Sequence, residues 1–375
     1  MPRCLVVTND FPPKQGGIEN FVYQLVSRLP PDQVAVFTSS ADGDGEFDAQ
    51  LPFPVVRART RVLLPTPHIQ HGAAALAKRF GCDSVYFGAA ASLGLMAARL
   101  RRQAGLKRIV ASSHSHECFW TKAPPTRAAI RQIARGVDHL TYISTYCGDV
   151  IGQALPAPDR ARLVRLSPGV DPARFAAAEG ASVRRRLALQ GRPVILSVSR
   201  LVPHKGQDTL VRALPAVLAA VPEAELAVVG EGPARPRLAA LAADLRVCDA
   251  VHFAGPVPHA EIAPYYAAAD VFAFPTRDRT GGLQVEGLGM VALEAAAAGL
   301  PVVVGASGGA PETVRDGETG FVVNPRDPAE LAARLVELLR DRPRAAAMGA
   351  AGRAWMAREW TWDQRAALLR RLLEL

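Results

Sequence analysis

Two carboxylates open the chemical reading of this chain. Glu286 lies in the glycine-rich segment GGLQVEGLG, and Glu294 follows eight residues later inside an apolar helical pattern, MVALEAAAAG. A helix is expected to begin near Leu288. N–H groups of a loop entering a helix lack intrahelical partners and face an incoming anion. Glu294 would sit among apolar neighbours, and a buried acid needs a partner. Sugar hydroxyls would serve. A structural acid bonded to nearby backbone is the alternative.

Three further clusters carry chemistry. In SVSRLVPHKGQDTLVRAL, Arg200 and Lys205 flank a turn between a strand and a helix. Arginine offers a planar fork and lysine a point charge, a pair suited to a diphosphate; two solvated loop cations are the bland alternative. In RIVASSHSHECFW, His114 and His116 follow a strand and share a side by alternation. A hydrogen-bonding histidine or a metal ligand would fit there, although no third ligand stands at a familiar spacing. In TNDFPPKQGGIENF, Gly16 and Gly17 open a helix after a strand and loop containing Asn9 and Asp10. Glycines there let backbone approach a ligand, although a simple turn would read the same.

These residues need a scaffold that presents strand ends. The apolar runs CLVVT, VAVFT, SVYF, RIVASS, HLTYIS and ARLVRL alternate with helical patterns. After residue 190 come PVILSVS, AELAVVG, AVHFAG, DVFAFP, LPVVVGA and GFVV. Continuous apolar strands alternating with helices imply parallel sheets covered on both faces. The class is α/β, doubly wound, and the pattern occurs twice. The periodicity breaks at LSPGVDPARFAAAEG, so domains are expected over 1–168 and 169–360, with an amphipathic helix over 361–375. All four clusters then lie at carboxyl ends of strands, where such sheets bind ligands.

Composition narrows the partners. The chain has 375 residues, 49% of them hydrophobic, and a formal charge of +9. A basic chain suits nucleic acid, an anionic membrane or phosphorylated ligands. No zinc finger, aromatic RNA-binding strand or base-reading basic helix is present, which speaks against nucleic acid. The GxGxxG fingerprint is missing, which speaks against a dinucleotide oxidoreductase. Five scattered cysteines without a CxxC suggest a reducing cytoplasm. Neither a signal peptide nor an apolar run of about 18 residues is read.

In order along the chain, these motifs resemble retaining glycosyltransferases of family four. The Glu-x7-Glu pattern is Glu286 and Glu294, joined by the Gly16–Gly17 loop, His114, Arg200, Lys205 and SPGVD at 167–171. More narrowly, VVTNDFPPKQGGIENF, SRLVPHKGQD, GGLQVEGLGMVALEA and ASGGAPETV resemble the actinobacterial phosphatidyl-myo-inositol mannosyltransferases that use GDP-mannose. The resemblance implies the GT-B fold, two Rossmann-like domains facing a central cleft, with the last helix crossing back onto the first. It implies that Arg200 and Lys205 hold the diphosphate, helped by the amides of Gly16 and Gly17. Glu286 with the backbone of Gly287, Leu288 and Gly289 would hold the mannose, and Glu294 the ribose. His114 would reach a sugar hydroxyl, and backbone near Val257 would read the guanine. Two departures touch acceptor specificity: His204 stands where close relatives carry arginine, and Ser115 replaces a glycine.

The implied reaction is mannosyl transfer with retention to the inositol of a phosphatidylinositol mannoside lipid, with no cofactor required beyond the GDP-mannose donor and a Mg2+ dependence left open but not indicated. The acceptor is expected at Asn9 and Asp10. Arg57, Arg59 and Arg61 precede Val62, Leu63 and Leu64, and TRAAIRQIARG repeats arginine at helical spacing. Basic residues beside apolar ones suit peripheral contact with the anionic inner face of the cell membrane, while a solvated charged face is the alternative. The rival function is a glycosyltransferase with another nucleotide sugar and a soluble acceptor such as inositol phosphate.

Overall fold

Central strands rich in apolar residues and buried on both faces build two parallel sheets, with half-buried strands at most of their edges. The computed structural model describes residues 2–375. One compact unit comprises the chain up to Pro168 together with Trp362–Leu375, and the other is Gly169–Thr361.

The first unit contains β1 (Cys4–Thr8), β2 (Val34–Ser39), β3 (Val55–Ala58), β4 (Ser84–Phe87), β5 (Arg108–Ser113), β6 (His139–Tyr142) and β7 (Leu163–Arg165). Their order is β3-β2-β1-β4-β5-β6-β7, every pairing parallel. Chain order reverses between β1 and β4, so the ends of those strands flank a topological switch point. The helix Trp362–Leu373 packs against the helix Gly17–Val26 and against β4 and β5. Trp362 meets Phe21 edge-on at 6.0 Å, and Arg28 pairs with Asp363 at 2.9 Å.

The second unit contains β8 (Val194–Val198), β9 (Glu225–Val229), β10 (Val251–Gly255), β11 (Val271–Phe274), β12 (Val302–Gly305) and β13 (Gly320–Val323). The order β10-β9-β8-β11-β12-β13 is again fully parallel. This is the doubly wound pattern 3-2-1-4-5-6, with its switch point between β8 and β11. Its core joins sheet residues such as Ile195, Leu226 and Val303 to Leu210, Leu214, Leu331 and Leu335 of the helices Gln207–Ala220 and Pro328–Arg340.

The doubly wound α/β class read from the sequence is the observed one, and β3 is the strand that reading missed. Its residues VVRA form a short edge strand, half-buried throughout. Arg57 belongs to it, bound to Asp48 at 2.8 Å and to the Pro12 carbonyl.

Candidate active site

The expected site residues fall into two groups, one in each unit, most of them near the switch points, with His114 following β5 and Val257 following the edge strand β10. In the second unit, β8 ends at Val198 and the chain loops through Arg200 and Lys205 before the helix at Gln207. Gln207 fixes that loop: its amide donates to Ser199 Oγ at 2.6 Å and to the Arg200 carbonyl at 3.1 Å. From the other side, Leu201 N–H donates to the Glu231 carbonyl at 2.9 Å. Gly230 and Gly232 permit this approach, since a Cβ at Gly230 would lie 2.0 Å from the Ser199 carbonyl oxygen. The sequence reading missed these glycines; the GEG triplet following a strand was the available signal.

Lys205 closes the turn. Its Nζ lies 2.5 Å from Glu286 Oε2 and 5.2 Å from the centre of the Phe274 ring at the end of β11. Both side chains of the ion pair are largely shielded from solvent. Arg200 is exposed. Between them, burial and then the Lys205 charge push His204 down to about 4. His204 is therefore neutral near pH 7 and does not replace the cation expected of an arginine there. Its carbonyl accepts from Thr276 Oγ1 at 3.0 Å and Arg277 N–H at 2.8 Å, tying this turn to the chain after β11.

The acidic half follows. The Glu286 carbonyl accepts from Gly309 N–H at 2.9 Å, and a Cβ at Gly308 would collide with it at 2.0 Å. The segment Gly287–Gly289 then enters the helix Met290–Ala298, which starts two residues later than expected. Gly289 takes the left-handed conformation, φ 93°, that delays it. Leu288 is buried, so its contribution to a ligand is confined to the backbone. Glu294 is buried with both oxygens bound: Oε1 lies 2.9 Å from His259 Nε2, and Oε2 accepts from Tyr266 OH at 2.8 Å. Val257 is half-buried just beyond β10.

In the first unit, Asn9 follows β1. Its Oδ1 accepts from Leu63 N–H at 2.6 Å and its Nδ2 donates to the Leu63 carbonyl at 2.9 Å. The Asn9 amide thus holds the 61–64 loop rather than pointing freely at an acceptor. Lys14 Nζ ties the same region together, donating to Ser39 Oγ at 2.6 Å and to the Asn9 and Arg61 carbonyls. Burial, then the charge of Glu19, raises Asp10 to about 6. Gly16 caps the helix Gly17–Val26, and the Glu19 carboxylate lies over it, 2.1 Å from where a Cβ would stand. An acid in that first turn complements the helix dipole, in the place where a diphosphate was expected.

His114 is buried. Its Nε2 is 2.9 Å from the Gly88 carbonyl, its ring meets Phe21 edge-on at 5.2 Å, and burial lowers its pKa. A neutral ring donating Nε2–H to Gly88 satisfies this geometry. Glu117, read in the sequence only as the acid of a possible HxHE metal motif, is the residue that builds this corner. Fully buried, it accepts from His114 N–H at 2.7 Å and Ala91 N–H at 3.1 Å. His116 stacks on His114 and lies 3.3 Å from Glu117. Among the described residues, no group of three His, Cys, Asp or Glu is placed to hold a metal.

The expected basic patches are thinner than their sequence suggests. Arg57 is bound internally, as described. In the helix Pro124–Gly136, Arg131 donates to the Ala154 carbonyl at 2.7 Å and Arg135 pairs with Asp159 at 3.4 Å. Leu63 is fully buried, but Val62 and Leu64 are each 55% exposed beside exposed Arg59 and Arg61. Among the described residues, no helix is long and apolar enough to cross a membrane.

Comparison with known proteins gives this geometry a context. Residues 15–174 match the model of Glycosyltransferase Family 4, and residues 181–355 match Glycosyl transferases group 1. The chain is 44% identical to the GDP-mannose-dependent alpha-(1-6)-phosphatidylinositol monomannoside mannosyltransferase of Mycobacterium tuberculosis, over 98% of this chain and 97% of that one. The chain belongs to this family of glycosyltransferases. The glycosyltransferase is also 44% identical, over 96% of its length and 95% of the relative's, to the monoacylated-substrate counterpart from Corynebacterium glutamicum. Over 56% of this chain and 49% of the other, it is 38% identical to a D-inositol 3-phosphate glycosyltransferase from Thermobispora bispora. The sucrose-phosphate synthase structure from Thermosynechococcus elongatus shares the fold, with TM-score 0.82 and 23% identity over 99% of this chain and 98% of that one. The glycosyltransferase has the GT-B fold of two Rossmann-like domains.

Proposed function

We propose that the protein transfers mannose from GDP-mannose to a phosphatidylinositol monomannoside, forming an α-1,6 link to inositol with retention at the anomeric carbon. One observation carries this reading: the Lys205–Glu286 pair stands at a ligand-binding switch point in a chain 44% identical, over 98% of its length, to a mannosyltransferase of that specificity. Bond cleavage leaves growing negative charge on the diphosphate. Arg200 and Lys205 stabilise it, and the Gly16 and Gly17 amides are assigned the same role. Glu286 and the backbone of Gly287–Gly289 hold the mannose, Glu294 the ribose, and backbone near Val257 the base. His114 reaches a mannose hydroxyl, and Asp10, in a loop held by Asn9, accepts from inositol hydroxyls. The departing phosphate takes the acceptor proton, since no residue stands out as an enzyme nucleophile. Val62 and Leu64 with Arg59 and Arg61 touch the anionic inner face of the cell membrane, where the lipid acceptor resides.

A soluble acceptor is the second reading, favoured by the likeness to D-inositol 3-phosphate glycosyltransferase. Both are tested by offering GDP-mannose, UDP-glucose and UDP-N-acetylglucosamine with either phosphatidylinositol monomannoside or inositol phosphate. Product mass and anomeric NMR identify the outcome. A dimannosylated lipid with an α anomer is expected. Turnover confined to inositol phosphate would replace the first reading with the second, and a β anomer would end the retaining mechanism.

A further inference from the structure

Glu294 lies next to the inner end of a hydrogen-bonded chain confined to the second unit. Asp171 caps the short helix Pro172–Ala176, accepting from Arg174 N–H at 3.2 Å. Arg174 reaches His259: one guanidinium nitrogen donates to the His259 carbonyl and another lies 3.4 Å from its Nδ1. A guanidinium can only donate, so Nδ1 is the acceptor in the neutral ring. The ring proton therefore sits on Nε2, which donates to Glu294 Oε1 at 2.9 Å. Tyr266 OH supports the other oxygen at 2.8 Å. Burial and the neighbouring carboxylate hold the Tyr266 hydroxyl far above its ordinary titration range, so it remains a donor.

A carboxylate has about four lone-pair directions. One donor on each oxygen fixes the plane of the group and leaves one direction on each oxygen, the arrangement that accepts two vicinal hydroxyls. We infer that His259 is a positioning residue that aims Glu294 at the ribose diol of the nucleotide, and that selection for an intact ribose depends on it. The inference rests on the reading of Glu294 as the ribose-binding acid. Tyr266 anchors the same carboxylate from the buried side, whereas His259 is partly exposed and so is the member that can be altered without opening the core.

The test compares binding of GDP and 2′,3′-dideoxy-GDP by calorimetry in the full-length wild type, His259→Phe and His259→Gln. Wild type is expected to prefer GDP by on the order of tenfold or more, the worth of hydrogen bonds to a charged acceptor. His259→Phe keeps a ring but loses the N–H, and most of that preference should vanish while dideoxy-GDP binds as before. Glutamine, with an N–H able to reach Oε1, should recover part of it. In turnover, the phenylalanine variant should raise the donor KM more than it lowers kcat. Equal weakening of both nucleotides in the phenylalanine variant, or an unchanged preference, overturns the positioning role. Equal binding of the two nucleotides by wild type instead removes Glu294 from the ribose, and the inference falls with it.

Discussion

Lys205 Nζ and Glu286 Oε2 meet at 2.5 Å although 81 residues separate them in the chain. The contact joins the loop after β8 to the loop after β11, the two strands that flank the switch point of the second unit. A cation suited to a leaving diphosphate is thereby held by the acid suited to the sugar. Removing either one leaves the other shielded from water and unpaired. Lys205→Ala and Glu286→Ala should each remain folded yet lose about 10²–10³ in kcat, the loss typical of a missing charge-stabilising donor. Steady-state turnover with circular dichroism checks this, and a wild-type rate in either variant excludes that residue from catalysis.

Asp10 is expected to exchange stability for function. Its folded pKa of about 6 exceeds the ordinary 3.8. Folding then favours the protonated form. The group's contribution to stability is full below about pH 4 and is lost as pH rises through about 6. Asp10→Asn should therefore stabilise the protein at pH 7.5 by roughly 1–2 kcal/mol and flatten the pH dependence between 4 and 6. Its turnover on the lipid acceptor should fall. Urea unfolding across that range, with acceptor kinetics, measures both; a less stable Asp10→Asn at pH 7.5 would contradict the burial argument.

Two glycines with positive φ should respond very differently to alanine. Gly206, φ 78°, has the Pro275 carbonyl oxygen 1.8 Å from any added Cβ, whereas Gly81, φ 63°, has nothing within 4 Å. Gly81→Ala should cost only the left-handed backbone strain, about 1–2 kcal/mol. Gly206→Ala should cost more than this and also displace Lys205, lowering activity even where the protein still folds. Thermal melts of the pair, together with turnover, decide the matter.

Membrane contact is expected to depend on Val62 and Leu64. The double substitution Val62→Ser, Leu64→Ser should leave the melting temperature nearly unchanged, because both side chains are more than half exposed. Affinity for phosphatidylinositol-containing vesicles, measured by co-sedimentation at low salt, should fall by about tenfold or more, given about 1.5–3 kcal/mol for burying each such side chain fully and roughly half of that for the exposed part. Retained binding would move the contact elsewhere on the protein.

The scaffold is plainly written in the chain, because central strands buried on both faces, such as β1, β2, β8, β9 and β12, need near-continuous apolar runs and have them. The motif residues are legible as candidates by their place at strand ends, although glycine, lysine and acid types there also serve turns, solvated surfaces and backbone bonding. Partnerships are not. Nothing local in NDFPPK announces that Asn9 grips Leu63, and the short SHSHECF stretch does not reveal Glu117 as the residue organising its own turn. Those bonds depend on which loops the sheet order makes adjacent. The same reason explains the overestimated basic surface: Arg57 and Arg131 read as exposed charge until the elements that bind them are in place. His204 shows a subtler limit, since its neutrality comes from burial beside Lys205 rather than from residue type.

The attachment of residues 362–375 to the first unit has a consequence for synthesis. A ribosome releases β1 to β7 long before it has made the helix that covers Phe21 and supplies Asp363 to Arg28. The half translated first is thus the half completed last. The nascent chain must leave the Phe21 side of the first unit uncovered while the whole second unit is made, so removal of residues 362–375 should damage the amino-terminal half before the part adjacent in sequence.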